Sequence, residues 1–236
     1  MSLDELINIA DANVRAADSA KKELEDSTQP KSIDDYVSLA KAAEKSLQSV
    51  LTVVPDSVFF SISLAQLYID MGDVYLERQY VEESAQYFSK ALEKLHGIGK
   101  IDSRRLTREF SNGAFKKYSN LNNVDFMGGK LLLAEAQASK GMSRSLTKQG
   151  NSADASTHWN RAKAAYEAIL SGRSDYDTGG MAFINYGNML VEEGNREAAR
   201  QIYLRAIGTF HKIAPFYAQK AHRELMYLLD LESKRN

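Results

Sequence analysis

Apolar residues recur along this chain at intervals of three and four, the spacing that keeps side chains on one face of a 3.6-residue helix. Leu6, Ile9, Ala10, Val14, Ala17 and Leu24 form the first such face, with acids opposite, and predict a helix over residues 2–26. A second helix is predicted over 32–52, opened by a Ser32–Asp35 capping box and closed before Pro55, with Ala43 and Leu47 at small and large inward positions. Asp56 is the expected cap of the next element, a helix beginning near Ser57. That helix breaks around Arg78-Gln79-Tyr80, and its partner runs to about residue 98. A helix over 101–118 and a connection over 119–127 follow. Residues 128–149, with Leu131, Leu132, Ala134, Ala138 and Gly141, and residues 154–171, with Ala162, Tyr166 and Ile169, predict two more helices. The polar run Gln149 to Asp154 reads as the turn between them, and the stretch from Ser171 to Gly180 as a loop. Two helices over 178–213 are divided by Glu193-Gly194-Asn195, where Asn195 caps the second. A last helix from Pro215 to about Leu231 is expected to turn Phe216, Ala221, Leu225, Leu228 and Leu229 inward and Lys220, Arg223 and Glu224 outward.

Inside this helical pattern one arrangement of large and small residues occurs twice. Tyr68, Met71, Gly72, Tyr75, Ser84, Phe88 and Ala91 match Phe183, Tyr186, Gly187, Leu190, Ala199, Tyr203 and Ala206 at every interval. A glycine on one helix lets a neighbouring helix approach closely, and an aromatic residue on that neighbour fills the wedge. The alanine three residues beyond the aromatic leaves room for the next pair to stack. With this spacing the chain resembles a tetratricopeptide-repeat protein. The resemblance covers 65–98 and 180–213 closely, 128–171 loosely, and 2–55 only as a degenerate helix pair. It implies an all-α fold, a single domain over 1–236 built as a right-handed superhelical solenoid of helix pairs. Within it, 57–98, 128–171 and 178–213 are repeats, 101–127 is an extra helix with its connection, and 215–233 is a capping helix.

Composition narrows the function without choosing a partner. Only 3 prolines and 14 glycines interrupt 236 residues, so long helices are permitted almost throughout. A net charge of −1 supplies no global field toward nucleic acid or an anionic membrane, and neither is expected as a partner. No apolar run approaches the ~20 residues of a membrane-spanning helix, so no membrane insertion is expected. Without cysteine there is no disulfide, thiolate nucleophile or cysteine metal site. The first residues carry neither a basic region nor an apolar core. A cytoplasmic location is therefore the expectation, with a periplasmic or secreted one open if a signal peptide has been removed.

The family resemblance implies that the first helix of each pair lines a ligand groove. On this chain those positions are Gln66, Ile69, Asp70 and Asp73 in the early repeat and Met181, Ile184, Asn185 and Asn188 in the late one. Asparagine amides both donate and accept hydrogen bonds and suit an extended peptide backbone. One subset of the family grips the C-terminal carboxylate of chaperones with lysines, an arginine and asparagines. Here Asn185 and Asn188 suit the asparagine roles, but Ile69, Asp70 and Asp73 stand where cations are needed, and the middle helix offers Glu135, Ala138, Ser139 and Met142. Repulsion by Asp70 and Asp73 predicts that such tails are not bound in that way.

Six cations, Lys100, Arg104, Arg105, Arg108, Lys116 and Lys117, against Asp102 and Glu109 leave a local excess of +4, a candidate basic patch or an ordinary solvated face. His96 and His211 each follow their repeat's alanine by five residues and are expected at helix C-termini; His158 and His222 have no histidine nearby in sequence. Trp159 is expected in the core. Gly97-Ile98-Gly99-Lys100 lacks the remaining glycine and preceding strand of a phosphate loop, and no HExxH or nucleophile elbow occurs. The expectation is therefore a non-enzymatic scaffold or adaptor, with no cofactor and no metal, that binds a protein or peptide partner. The alternative is a self-assembling structural subunit forming a homo-oligomer through an apolar end.

Overall fold

The computed structural model describes residues 1–25, 32–121, 123–172 and 175–234. All regular structure in them is helical: α1 (Leu3–Glu25), α2 (Ile33–Val53), α3 (Val58–Glu77), α4 (Val81–Ile98), α5 (Ser103–Phe110), a 3-10 helix at Gly113–Leu121, α6 (Val124–Lys148), α7 (Ser152–Ser171), α8 (Tyr176–Glu192), α9 (Arg196–Phe210) and α10 (Pro215–Ser233). The chain divides into two compact units, Met1–Ala162 and Lys163–Asn236, with the boundary inside α7.

In the first unit each helix packs on its neighbour in sequence from α1 to α4, and α6 packs on both α3 and α4. Phe88 of α4 explains that last contact. A Cβ on Gly72 of α3 would lie 2.8 Å from its ring, and one on Gly141 of α6 would overlap the same ring. The ring thus fills a slot that two glycines leave open from opposite sides. Ser84 completes the joint, its hydroxyl donating to the Gly72 carbonyl at 2.9 Å and lying 3.0 Å from the Ser145 hydroxyl of α6. In the second unit α8, α9 and α10 pack together. There Tyr203 of α9 covers Gly187 and Tyr217 of α10 covers Gly180.

Three helix ends share one geometry. The amides of Tyr80, Asn151 and Asn195 each bond back five residues, to Tyr75, Leu146 and Leu190, at 2.9 Å. The residue before each has positive φ: Gln79 at 67°, Gly150 at 80° and Gly194 at 81°. Glycine takes this conformation without steric cost, while Gln79 adopts it despite its side chain.

The structure corrects several sequence expectations. Ser57, not Asp56, caps α3, accepting from the Phe60 amide at 3.2 Å. Ser32 accepts from Asp34, one residue earlier than a capping box requires. In α1 Ala10, Ala17 and Leu24 are buried as expected, but Ile7 is buried with them whereas Ile9 is 44% exposed. The expected helix over 101–118 is instead α5 followed by the 3-10 helix. The polar run after Gln149 is a tight turn, and α7 already starts at Ser152, two residues before the expected 154. Thr178, Gly179 and Gly180 belong to α8, whose start Asp175 caps by accepting from Asp177 and Thr178. On α10, Ala221, Leu225 and Leu228 are buried as expected, but Phe216 is 62% and Leu229 38% exposed.

Candidate functional site

The eight groove positions divide by burial. Ile69 of α3 and Ile184 of α8 are 2% and 1% exposed; the interval that placed them on a groove sets them in the core, and they present no surface to a ligand. Gln66, Asp70 and Asp73 on α3, and Met181, Asn185 and Asn188 on α8, remain partly exposed. Asn188 has a local task, since its Oδ1 accepts from the Tyr203 hydroxyl, the ring seated on Gly187.

In the first unit the acids are not bare. Lys21 of α1 reaches Asp70 at 2.6 Å, bringing a cation to a place where α3 itself offers none. Burial pushes the Asp73 carboxyl up to about 6; Lys21 and Arg144 act against the rise and Asp70 and Glu77 add to it. Asp18 of α1 is raised as well, by burial and then by Asp70, with Lys22 and Lys21 opposing. Beneath these groups Tyr36 of α2 is 1% exposed, and its hydroxyl has no hydrogen-bond partner among the described residues. Burial, followed by Asp70, Asp18 and Asp73, holds that phenol protonated far above its ordinary range. The first-helix surface of this unit is therefore a charge mosaic in which both signs meet, rather than the purely acidic strip read from α3 alone.

The candidate basic patch is dispersed by its own contacts. Arg105 bonds the carbonyls of Ile98 and Asp56, tying the end of α4 to the α2–α3 turn. Glu109 of α5 accepts from the Ser57 hydroxyl at 2.5 Å and from the Val58 and Phe59 amides at 3.0 and 3.1 Å, a carboxylate set on the N-terminus of α3. Lys117 pairs with Asp11 at 2.7 Å. Arg104 and Arg108 are exposed, and the side chain of Lys116 lies outside the described residues. The segment over 101–121 thus acts as a brace, with Leu106, Phe110 and Phe115 buried in the core.

Among family models none matches this chain, and none of the curated proteins does.

Sequence order also hid a polar cluster. Arg161 of α7 donates from Nε to Glu135 of α6 at 2.7 Å and contacts His96 of α4. Burial, then Arg161, lowers the basicity of His158, with His96 also acting in that direction against Asp154. The two histidines lie 62 positions apart in the chain (158 − 96), so no local motif could have joined them. His211 caps α9, its Nδ1 lying 2.9 Å from the Gly208 carbonyl. Trp159 is half-buried, and no group of three metal-ligating side chains occurs among the described residues.

Proposed function

We propose that the chain is a tetratricopeptide-type scaffold: a superhelical row of helix pairs, without enzymatic activity, that binds a partner peptide or helix along the exposed side of its first helices. The observation that carries this reading is the seating of Phe88 on Gly72 and of Tyr203 on Gly187, the small-to-large contact that the repeat spacing implies, present in both units. Supporting it, Gln66, Asp73, Met181 and Asn185 are partly exposed. A preformed helical surface lowers the ordering cost of binding, which then falls on the partner.

The test is affinity capture with the full chain, followed by measurement of the purified partner against the wild type and a Met181→Ala/Asn185→Ala variant. We expect at least about tenfold weaker binding with an unchanged helical melt. A partner bound equally by both proteins would assign binding to another surface.

A further inference from the structure

Two helices hold the same place beside a helix pair, and they differ in what lies over them. In the first unit α6 packs on the α3–α4 pair; in the second α10 packs on the α8–α9 pair. One repeat period of 34 residues beyond Gly187 is Ala221, fully buried on α10, as Gly141 is buried on α6. Setting these two in register aligns Ala136 with Phe216, Ser139 with Gln219 and Ser143 with Arg223.

On α6 this side is closed. Ala136 and Ser139 are 0% and Ser143 3% exposed. Helix α7 meets it at two points, its Ala155 carbonyl accepting from the Ser143 hydroxyl at 2.7 Å and its Arg161 bonding Glu135. On α10 the corresponding side is open. Phe216 is 62% and Met226 52% exposed, and Gln219 and Arg223 are exposed too. A cleft of about 630 Å³ lies between this side and α9, lined by Ile207, His211, Phe216, Ala218, Gln219 and His222.

The two sides differ in charge at the place of Glu135. On α6 an acid, Glu135, meets the arginine of the arriving helix. On α10 Pro215 stands at that register, and the cleft carries His211, His222 and Arg223, with Lys220 adjacent; the first acid of α10 is Glu224, beyond the cleft. A helix that fits here needs an apolar stripe for Phe216 and Ile207 and carboxylates for the basic rim. A second copy offering α7 in this register would set Arg161 at Pro215 and beside His211, where no acid takes the part of Glu135, and this disfavours self-pairing.

We propose that the cleft between α9 and α10 docks an amphipathic, acidic helix of a partner protein, taking the place that α7 takes on α6. This surface is independent of the groove proposed above, so the Met181→Ala/Asn185→Ala variant should bind here as the wild type does.

The test uses the full chain and two fluorescein-labelled peptides of about 18 residues with leucines at i, i+3, i+4 and i+7, one bearing glutamates on its flanks and the other lysines. Anisotropy should show binding of the glutamate peptide and none of the lysine peptide. Phe216→Ala should weaken binding at least about tenfold, and Arg223→Glu should reverse the preference between peptides. Both side chains are exposed, so the melts should not change. Binding of neither peptide, equal binding of both, or binding unaffected by either substitution would overturn the proposal. Sedimentation should show a monomer. A concentration-dependent dimer abolished by Phe216→Ala would give the cleft to a second copy and overturn it as well.

Discussion

Phe88 is fully buried and enclosed by glycine on two sides, so its ring cannot retreat from one helix without striking the other. A methyl at Gly141 therefore has to move the ring into Gly72 or separate α6 from α4. We expect Gly141→Ala to cost about 1–3 kcal/mol through overpacking, exceeding the ~1 kcal/mol that alanine contributes to a helix. Gly128, on the same helix, would set its Cβ in open space, and Gly128→Ala should be neutral or stabilising by up to ~1 kcal/mol. Urea unfolding of both variants checks the pair; a Gly141→Ala protein as stable as the wild type would refute the wedge. Asp73 is a second residue whose surroundings decide its behaviour. Its carboxyl holds a proton more tightly in the fold than in the unfolded chain. The wild type should therefore lose stability as pH rises from near 3.8 to about 6, and Asp73 should remain a liability above that. Asp73→Asn should thus stabilise the protein by about 1–2 kcal/mol at pH 7.5 and by clearly less at pH 5. Lys21 and Arg144 oppose this trend, and an equal gain at both pH values would show that they cancel it.

Among the elements, the ends of α3, α6 and α8 show how one geometry is reached from different residues. Gly150 and Gly194 reach positive φ freely, whereas Gln79 carries the cost of a β-carbon in the left-handed region, about 1 kcal/mol. Gln79→Gly should recover most of it, less the weak exposed bond that its Oε1 accepts from Lys148. A rise in melting temperature of roughly 2–4 °C is expected, and an unchanged or lower midpoint would mean that the turn is not strained. The break at residues 78–80 was readable as the counterpart of the turn at Glu193-Gly194-Asn195, although no glycine marks it. The division of 101–121 into α5 and a 3-10 helix was not readable. Its decisive residue, Glu109, acts on an amide cluster some 50 positions away, and no helical periodicity encodes such a reach.

For the whole molecule, the three- and four-residue apolar rhythm was enough to establish an all-helical chain, because burying one stripe per helix is the main source of its stability. The glycine-to-aromatic interval likewise identified which residues would meet across α3–α4 and α8–α9, since both members of each contact lie within one pair of neighbouring helices. Exposure of the site residues was settled elsewhere. Periodicity assigns a residue to a face of its own helix, but the neighbours that cover that face come from distant parts of the chain. That is why Ile69 and Ile184 turned out to be core, why Lys21 rather than any residue of α3 meets Asp70, and why Phe216 stands in solvent beside a basic cleft. Local sequence determined the helices and the joints inside the α3–α4 and α8–α9 pairs. Only tertiary packing decided which surfaces stay open, because openness depends on which other helices come to rest there.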